Sequence, residues 1–424
     1  MRFRIPRLRY VIAILLLLAT MINYADRLAL SVVSPWLRQE FGMDERDYGQ
    51  IVFFFMTAYA IFYALSGPIV DRLGTRRGLA IFVVAWSGAA MSHALARGKR
   101  SLAACRFLLG MCEPGNWPAA AKAVAEWFPA EQRALGVGIF NAGSSIGSAL
   151  APPVVAWLTL SYGWRAAFLW TGATGLAWLL LWLLLYQPPH RSRWITGQEW
   201  NYLRGRVRPP DQKVAERHSW SSWLRVASRR ECYTLILARF FTDPVIYFII
   251  FWLPEYLRKE RGYDLAMIGK YAWVPFIFGD IGYLLGGWLS GYLVRRGWKL
   301  PRARKFVLAC GAAVMPAGVF APLVPGAAGA IALTCVMTFG HALWISNLLT
   351  LPTDLFPGRE VATATGFSGM GGAIGGMLAN LSTGYIVQRF SYRPIFTTAG
   401  LMHPLALAVV LALLPDRRFG GKEE

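Results

Sequence analysis

The chain has 424 residues, 55% of them hydrophobic, with 18 tryptophans and a mean hydropathy of +0.39. That composition argues against an ordinary soluble enzyme or binding domain and for a chain that crosses a membrane many times. The formal net charge of +21 would suggest a nucleic-acid partner in a soluble protein. Here the basic residues are parcelled into short loops between apolar runs, which is a topology signal, and no nucleic acid is expected.

Arg2, Arg4, Arg7 and Arg9 precede an apolar run, Tyr10 to Ile22, and imitate a signal peptide. No small-x-small cleavage site follows, so the run reads as an uncleaved first helix. Asn23-Tyr24-Ala25-Asp26-Arg27 then places an acid and a base in the middle of a spanning segment. Charge at that depth is expensive unless it faces a bundle interior or a water-filled cavity. The stretch is therefore a functional site or a fixed ion pair.

Apolar segments of spanning length fall at roughly 10–36, 48–70, 78–97, 101–125, 131–160 and 165–186. An Arg- and Pro-rich stretch, 187–230, follows. Six more segments fall at roughly 231–257, 266–294, 303–324, 328–351, 359–388 and 392–414. The expected fold is an all-α polytopic membrane protein: twelve transmembrane helices in two pseudo-symmetric six-helix bundles, 1–186 and 231–424, joined by the basic linker 187–230. With both termini inside, about 29 Lys and Arg fall on the cytoplasmic side and about 11 outside, which favours that orientation. The linker carries Trp194, Trp200, Trp220 and Trp223 among its arginines. It either lies on the inner membrane surface or is a solvated tether. The five cysteines form no C-x-x-C pair, so neither a disulfide frame nor a zinc site is expected.

Several side chains carry chemistry. Arg27 and Arg106 can form an anion clamp, because a guanidinium grips carboxylate through two parallel hydrogen bonds. The alternative is that each pairs permanently with Asp26 or Glu113. Glu113 follows Arg106 by seven residues, two helical turns, which predicts one shared face. Asp26 and Glu113 are the proton candidates: burial favours the neutral acid and a nearby Arg the charged one. Arg239 and Asp243, four apart, are expected to pair on one helix face as a structural or gating unit. Asp280 accepts a hydroxyl or stays protonated, and Asn116 and Asn347 are candidate hydroxyl partners. His341 and His403 lie in apolar runs of the second half. Glycines at 136, 143 and 147, and at 366, 369, 372 and 376, have the spacing of close helix packing. Pro114, Pro118, Pro152, Pro254 and Pro352 are expected to bend or end their helices.

Gly67-x-x-x-Asp71-Arg72-x-Gly74-x-Arg76-Arg77, with a weaker echo from Gly287 to Arg296, resembles the loop signature of the major facilitator superfamily. The resemblance covers essentially the whole chain. Asn23-Tyr24-x-Asp26-Arg27 resembles the anion:cation symporter branch, as does Arg106-Phe107-Leu108-Leu109-Gly110-x-x-Glu113-Pro114-Gly115-Asn116-Trp117-Pro118. Three further stretches resemble the hexuronate (glucuronate and galacturonate) transporters. They are Phe241-Thr242-Asp243-Pro244 with Phe251-Trp252-Leu253-Pro254, Gly279-Asp280 with Gly286 to Ser290, and His341 with Asn347 and Asp354-Leu355-Phe356-Pro357.

The resemblance implies a proton-coupled symporter that imports a sugar acid by alternating access. Arg27, Arg106, Tyr24, Asn116, His341 and Asn347 would bind substrate, and Asp26 and Glu113 would carry the proton. Asp71, Arg72, Arg76 and Arg77 would form a gate, with Asp71 on the N–H groups of another helix and the arginines on acids or lipid. Arg239, Asp243 and Asp280 are a further ion pair or gate. Gly291 stands where the second loop would repeat Asp71, so that loop is expected to lack an acid. The expected partners are a small organic anion and the lipid bilayer, with no cofactor or metal beyond the co-transported proton. A monomer in a bacterial inner membrane, both termini cytoplasmic, is the matching setting. An exporter exchanging against protons is the alternative, although the segment from Gly143 to Pro152 lacks the Gly-Pro and Gly-Gly pairing of drug antiporters. A non-transporting receptor is a weaker one. An enzyme is disfavoured, because no nucleophile–base pair or phosphate loop is present.

Overall fold

The computed structural model describes residues 4–207, 220–416 and 419. In the first half α1 (Leu8–Phe41), α2 (Glu45–Leu73), α3 (Thr75–Ser92), α4 (Lys99–Cys112), α5 (Asn116–Trp127), α6 (Arg133–Tyr162) and α7 (Trp164–Leu185) follow one another. Two short helices, α8 (Gly197–Leu203) and α9 (Trp220–Ser228), lie in the linker. The second half holds α10 (Arg230–Arg261), α11 (Leu265–Tyr271), α12 (Val274–Arg295), α13 (Leu300–Val314), α14 (Ala327–Leu348), α15 (Leu351–Leu355), α16 (Val361–Arg389) and α17 (Arg393–Leu413).

Among the described residues nine helices are long and apolar enough to cross a membrane. The other three expected spans are helical as well, and their deviation has a physical cause. Residues 99–127 are interrupted at Glu113–Gly115 by a 3-10 turn containing Pro114, which divides α4 from α5. The spans at α12 and α16 have 22 and 29 residues but are diluted by glycine and, in α12, by Asp280. The twelve-helix polytopic fold therefore stands. Pro114 and Pro352 mark helix breaks, whereas Pro152 and Pro254 lie within continuous helices.

The chain forms two compact units. One comprises Met1–Pro129, Ile139–Trp223 and Phe356–Met370; the other comprises Ala130–Gly138, Leu224–Leu355 and Gly371–Glu424. Each unit thus takes one short segment from the opposite half of the sequence. The first unit packs Ala29, Leu30, Val33 and Leu37 of α1 against Leu102, Val155, Trp164 and Phe168. The second packs Phe248 and Tyr256 of α10 with Met315, Met337, Tyr392 and Phe396. Large apolar side chains such as Trp157, Leu160, Trp170 and Leu180 point outward, as a lipid-facing surface requires. On the inner side, α6 can approach α1 closely because it has glycine at Gly147, where a Cβ would lie 2.6 Å from the Met21 carbonyl oxygen.

The start of the linker docks on the first unit. The Glu199 carboxylate caps the open N-terminus of α1, accepting from the backbone N–H of Leu8 at 2.6 Å and of Arg9 at 3.3 Å. It also pairs with the Arg9 guanidinium at 2.9 Å. A parallel bridge between Ile5 and Ile195, and a bond from the Trp194 indole to the Leu184 carbonyl, complete the seat. Residues 208–219 of the expected linker lie outside the described residues. Glu199→Ala removes the cap and should cost about 1–3 kcal/mol of local stability. Trypsin should then cut at Arg204 and Arg206 faster than in the parent protein, and an unchanged rate would mean that the cap does not hold the segment.

Candidate functional site

Two buried polar clusters stand out, one in each unit. In the first, the Arg27 Nε donates to Glu113 Oε2 at 2.9 Å, and Glu113 is fully buried. Asn23, one turn before Arg27, receives a bond from its guanidinium at 3.4 Å and donates to the Glu113 carbonyl at 3.3 Å. The guanidinium carbon of Arg27 lies over the rings of Tyr24, Phe55 and Tyr59, at 4.8, 5.7 and 4.5 Å from their centroids. Arg106 donates through Nη2 to the Arg27 carbonyl at 2.6 Å and stacks on Phe55 at 4.4 Å. Its Nε and Nη1 are buried with no hydrogen-bond partner among the described residues.

Asp26 is 1% exposed, and neither carboxylate oxygen has a hydrogen bond of ordinary geometry, although the Thr171 side chain lies beside it. Asn116 opens α5 and donates to the Thr20 hydroxyl at 3.0 Å, leaving its own oxygen unpartnered. The cluster therefore unites Tyr24, Asp26, Arg27, Arg106, Glu113 and Asn116. The ion-pair partner of Glu113 is Arg27, one of the pairings the sequence left open. Helical spacing assigns a face but not a partner, and Glu113 sits where α4 gives way to a 3-10 turn. Phe55, Tyr59 and Trp117 were missed as lining residues; the Trp117 indole donates to the Tyr59 hydroxyl at 3.0 Å. The i, i+4 spacing of Phe55, Tyr59 and Tyr63 was the available signal.

In the second unit, Arg239 and Asp243 form the expected pair. Arg239 Nε and Nη2 both donate to Asp243 Oδ2, at 2.9 and 2.6 Å. Gly372 makes room for this carboxylate, since a Cβ there would overlap it. On α14, Asn347 donates to the Gly286 carbonyl at 3.0 Å and keeps an unpartnered oxygen. His341 is hydrogen-bonded to His403 of α17 at 3.1 Å, a partner the sequence reading left without a role. Asp280 stands half-buried on α12.

The gate residues divide. Asp71 ends α2 and accepts from the Thr363 N–H at 2.8 Å, the Thr363 hydroxyl at 2.7 Å and the Ala362 N–H at 3.4 Å, all in the first turn of α16. Lys122 of α5 neutralises it at 2.6 Å. The three arginines do not pair with acids among the described residues. Arg72 and Arg77 are exposed, and Arg76 donates to the Leu183 carbonyl.

The second loop lacks an acid, as expected from Gly291, and the second unit takes one from elsewhere. Gly291 packs where a Cβ would meet the Glu131 carbonyl, so no acid fits there. The acid is Asp354, which accepts from Arg304 Nε at 2.9 Å and Arg133 Nη1 at 3.2 Å. Arg304 further donates to Ser290 Oγ and the Ala130 carbonyl, both at 2.7 Å. The signal lay in a repeat, Glu126-x-Phe128-Pro129 and Asp354-x-Phe356-Pro357. In the first unit Glu126 accepts from the Thr75 hydroxyl at 2.6 Å and from the Tyr186 hydroxyl.

Apolar-walled helices that bury charge clusters within a polytopic fold are those of an integral membrane protein with a polar site inside it. The family profile described as Major Facilitator Superfamily matches residues 16–379 and 302–424, and the chain belongs to that superfamily. It is 32% identical to the hexuronate transporter of Escherichia coli (strain K12) over 416 residues, 98% of this chain and 96% of that one. It is 34% identical to the galacturonate transporter of Dickeya chrysanthemi over 316 residues, 74% of this chain and 90% of that one. Among solved structures, the proton:xylose symporter XylE shares the fold with a TM-score of 0.73 at 17% identity, covering 96% of each chain.

Removing one partner from a buried pair leaves an uncompensated charge and costs about 3–5 kcal/mol. Asp354→Leu strips the counter-charge from both Arg304 and Arg133 and should therefore lower the melting temperature in detergent sharply. Arg304→Met leaves Asp354 paired with Arg133 and should lower it less; a single Arg304→Met variant as unstable as Asp354→Leu would refute the charge-balance argument.

Proposed function

We propose that the protein is a proton-coupled symporter that imports a sugar acid of the hexuronate class into the cell. It works by alternating access as a monomer of the bacterial inner membrane, with both termini cytoplasmic. The observation that carries this reading is the first-unit cluster: an Arg27–Glu113 pair beside an Arg106 guanidinium with two unpartnered nitrogens. Similarity over nearly full length to a hexuronate transporter supports the substrate class.

The chemistry follows from the geometry. The free edge of Arg106 matches a carboxylate, to which a guanidinium gives two parallel bonds. An incoming carboxylate also competes with Glu113 for Arg27. A buried carboxylate that loses its cation takes a proton, because desolvation then acts unopposed. Binding of the anion and protonation of Glu113 are thereby linked, with Asp26 as the assisting acid. Galactonate, glucarate and hexuronate share a carboxylate and a run of hydroxyls and differ in the oxidation state of a terminal carbon, and Asn116, Asn347 and His341 have the donors and acceptors to read hydroxyls.

Arg106→Lys keeps the charge and loses the fork. It should weaken hexuronate binding by about 1–3 kcal/mol, roughly five- to 150-fold in Kd. Titration calorimetry on the purified protein measures this, and an unchanged Kd would remove Arg106 from the clamp.

Glu113→Gln should still bind substrate and exchange it by counterflow in proteoliposomes. It should not accumulate substrate when a pH gradient is the sole driving force. Accumulation by this variant would assign the proton to another group, Asp26 first.

A further inference from the structure

The rings of His341 and His403 meet edge to face, with centroids 5.2 Å apart and planes at 81°. Nδ1 of His341 lies 3.1 Å from Nε2 of His403. A bond between two imidazoles needs one N–H and one lone pair, so the tautomers of the two rings are locked together. The remaining nitrogens decide which way. His403 is fully buried, and its Nδ1 has no hydrogen-bond partner. Trp344 packs on the same ring at 5.6 Å, and its indole N–H is likewise unpartnered.

Buried N–H groups without an acceptor are rarer than acceptors without a donor. Nδ1 of His403 therefore keeps a lone pair, and the proton sits on Nε2, where it donates to His341. Protonating the second nitrogen of His403 would bury a charged donor with nothing to receive it. His341, accepting at Nδ1, must carry its own proton at Nε2. That nitrogen has no partner among the described residues, and His341 as a whole is 3% exposed.

We propose that His403 is a positioning residue that holds His341 as an Nε2–H donor, and that this donor recognises an acceptor oxygen of the transported sugar acid. The inference rests on the sugar-acid reading for its ligand and on the imidazole geometry for its tautomer. A donor at this point selects for an acceptor atom: an analogue with fluorine in place of the recognised hydroxyl is retained, and the corresponding deoxy compound is not.

The test uses the full-length protein in lipid, labelled with 15N histidine. His341, assigned by loss of its signals in His341→Gln, should show a protonated Nε2 and a bare Nδ1. Transport supplies the second readout. His403→Phe keeps a ring and removes the donor, and should raise KM for glucuronate or galacturonate roughly tenfold, more than any fall in kcat. His403→Gln returns an amide N–H near the Nε2 position and should restore KM to within about threefold. A wild-type His341 protonated at Nδ1, or a folded His403→Phe with unchanged KM, overturns the proposal. Should His403→Phe fail to fold, the wild-type tautomer alone decides. A wild-type protein that transports no sugar acid yet shows Nε2–H on His341 would sink the substrate reading and leave the tautomer lock standing.

Discussion

The pairing of Arg27 with Glu113 is the interaction on which the first unit depends. Both groups are removed from water, and the desolvation of two ions is scarcely repaid by their attraction. A chain that keeps such a pair at membrane depth does so for something other than stability. The surroundings are built to hold it without fixing it. Glu113 is placed by a helix break, and its backbone carbonyl is tied to Asn23. Arg27 rests on three aromatic faces, each of which favours the cation by about 0.5–2 kcal/mol without competing for its hydrogen bonds. Its N–H donors therefore remain exchangeable between one carboxylate and another.

Much of this architecture was legible in the sequence. Apolar length placed the spans, and the charged residues inside those spans named most of the cluster. Spacing on one helix also worked where both partners shared it, as with Arg239 and Asp243. It failed where the partner came from elsewhere in the chain. The seven-residue spacing put Glu113 on the face of Arg106, and it is Arg27 of α1 that makes the ion pair. Asp71 does accept from the N–H groups of another helix, as the loop signature implied, but that the helix is α16 and the counter-ion Lys122 is something no periodicity reports. Gly291 was read as leaving the second loop without an acid, and the acid of that unit, Asp354, stands 63 positions further on, opposite Arg304 and Arg133. His403 gave no signal beyond a polar ring in an apolar run.

The two units offer different chemistry. In the first, Arg106 retains unpartnered donors and Asp26 and Glu113 retain unpartnered oxygens, so charge is available. In the second, Arg239 spends two donors on Asp243, and imidazole and amide groups share the unit with the half-buried Asp280.

Electroneutrality connects the first cluster to the proposed coupling. Arg27 and Arg106 with Asp26 and Glu113 carry two positive and two negative formal charges when all are ionised, a balanced set in a low-dielectric surrounding. A sugar acid adds one negative charge. With no proton, the occupied cluster would hold an unmatched anion, and an unpaired buried charge is far more costly than any single hydrogen bond it could gain. A proton taken by Glu113 or Asp26 restores the balance. The same logic runs in reverse after release, when an empty cluster with a protonated acid would leave one guanidinium unmatched. On the proposed reading, the anion and the proton are therefore coupled by the charge of the cluster as a whole, and Glu113 is the acid best placed to respond because the carboxylate that displaces it takes its own counter-ion.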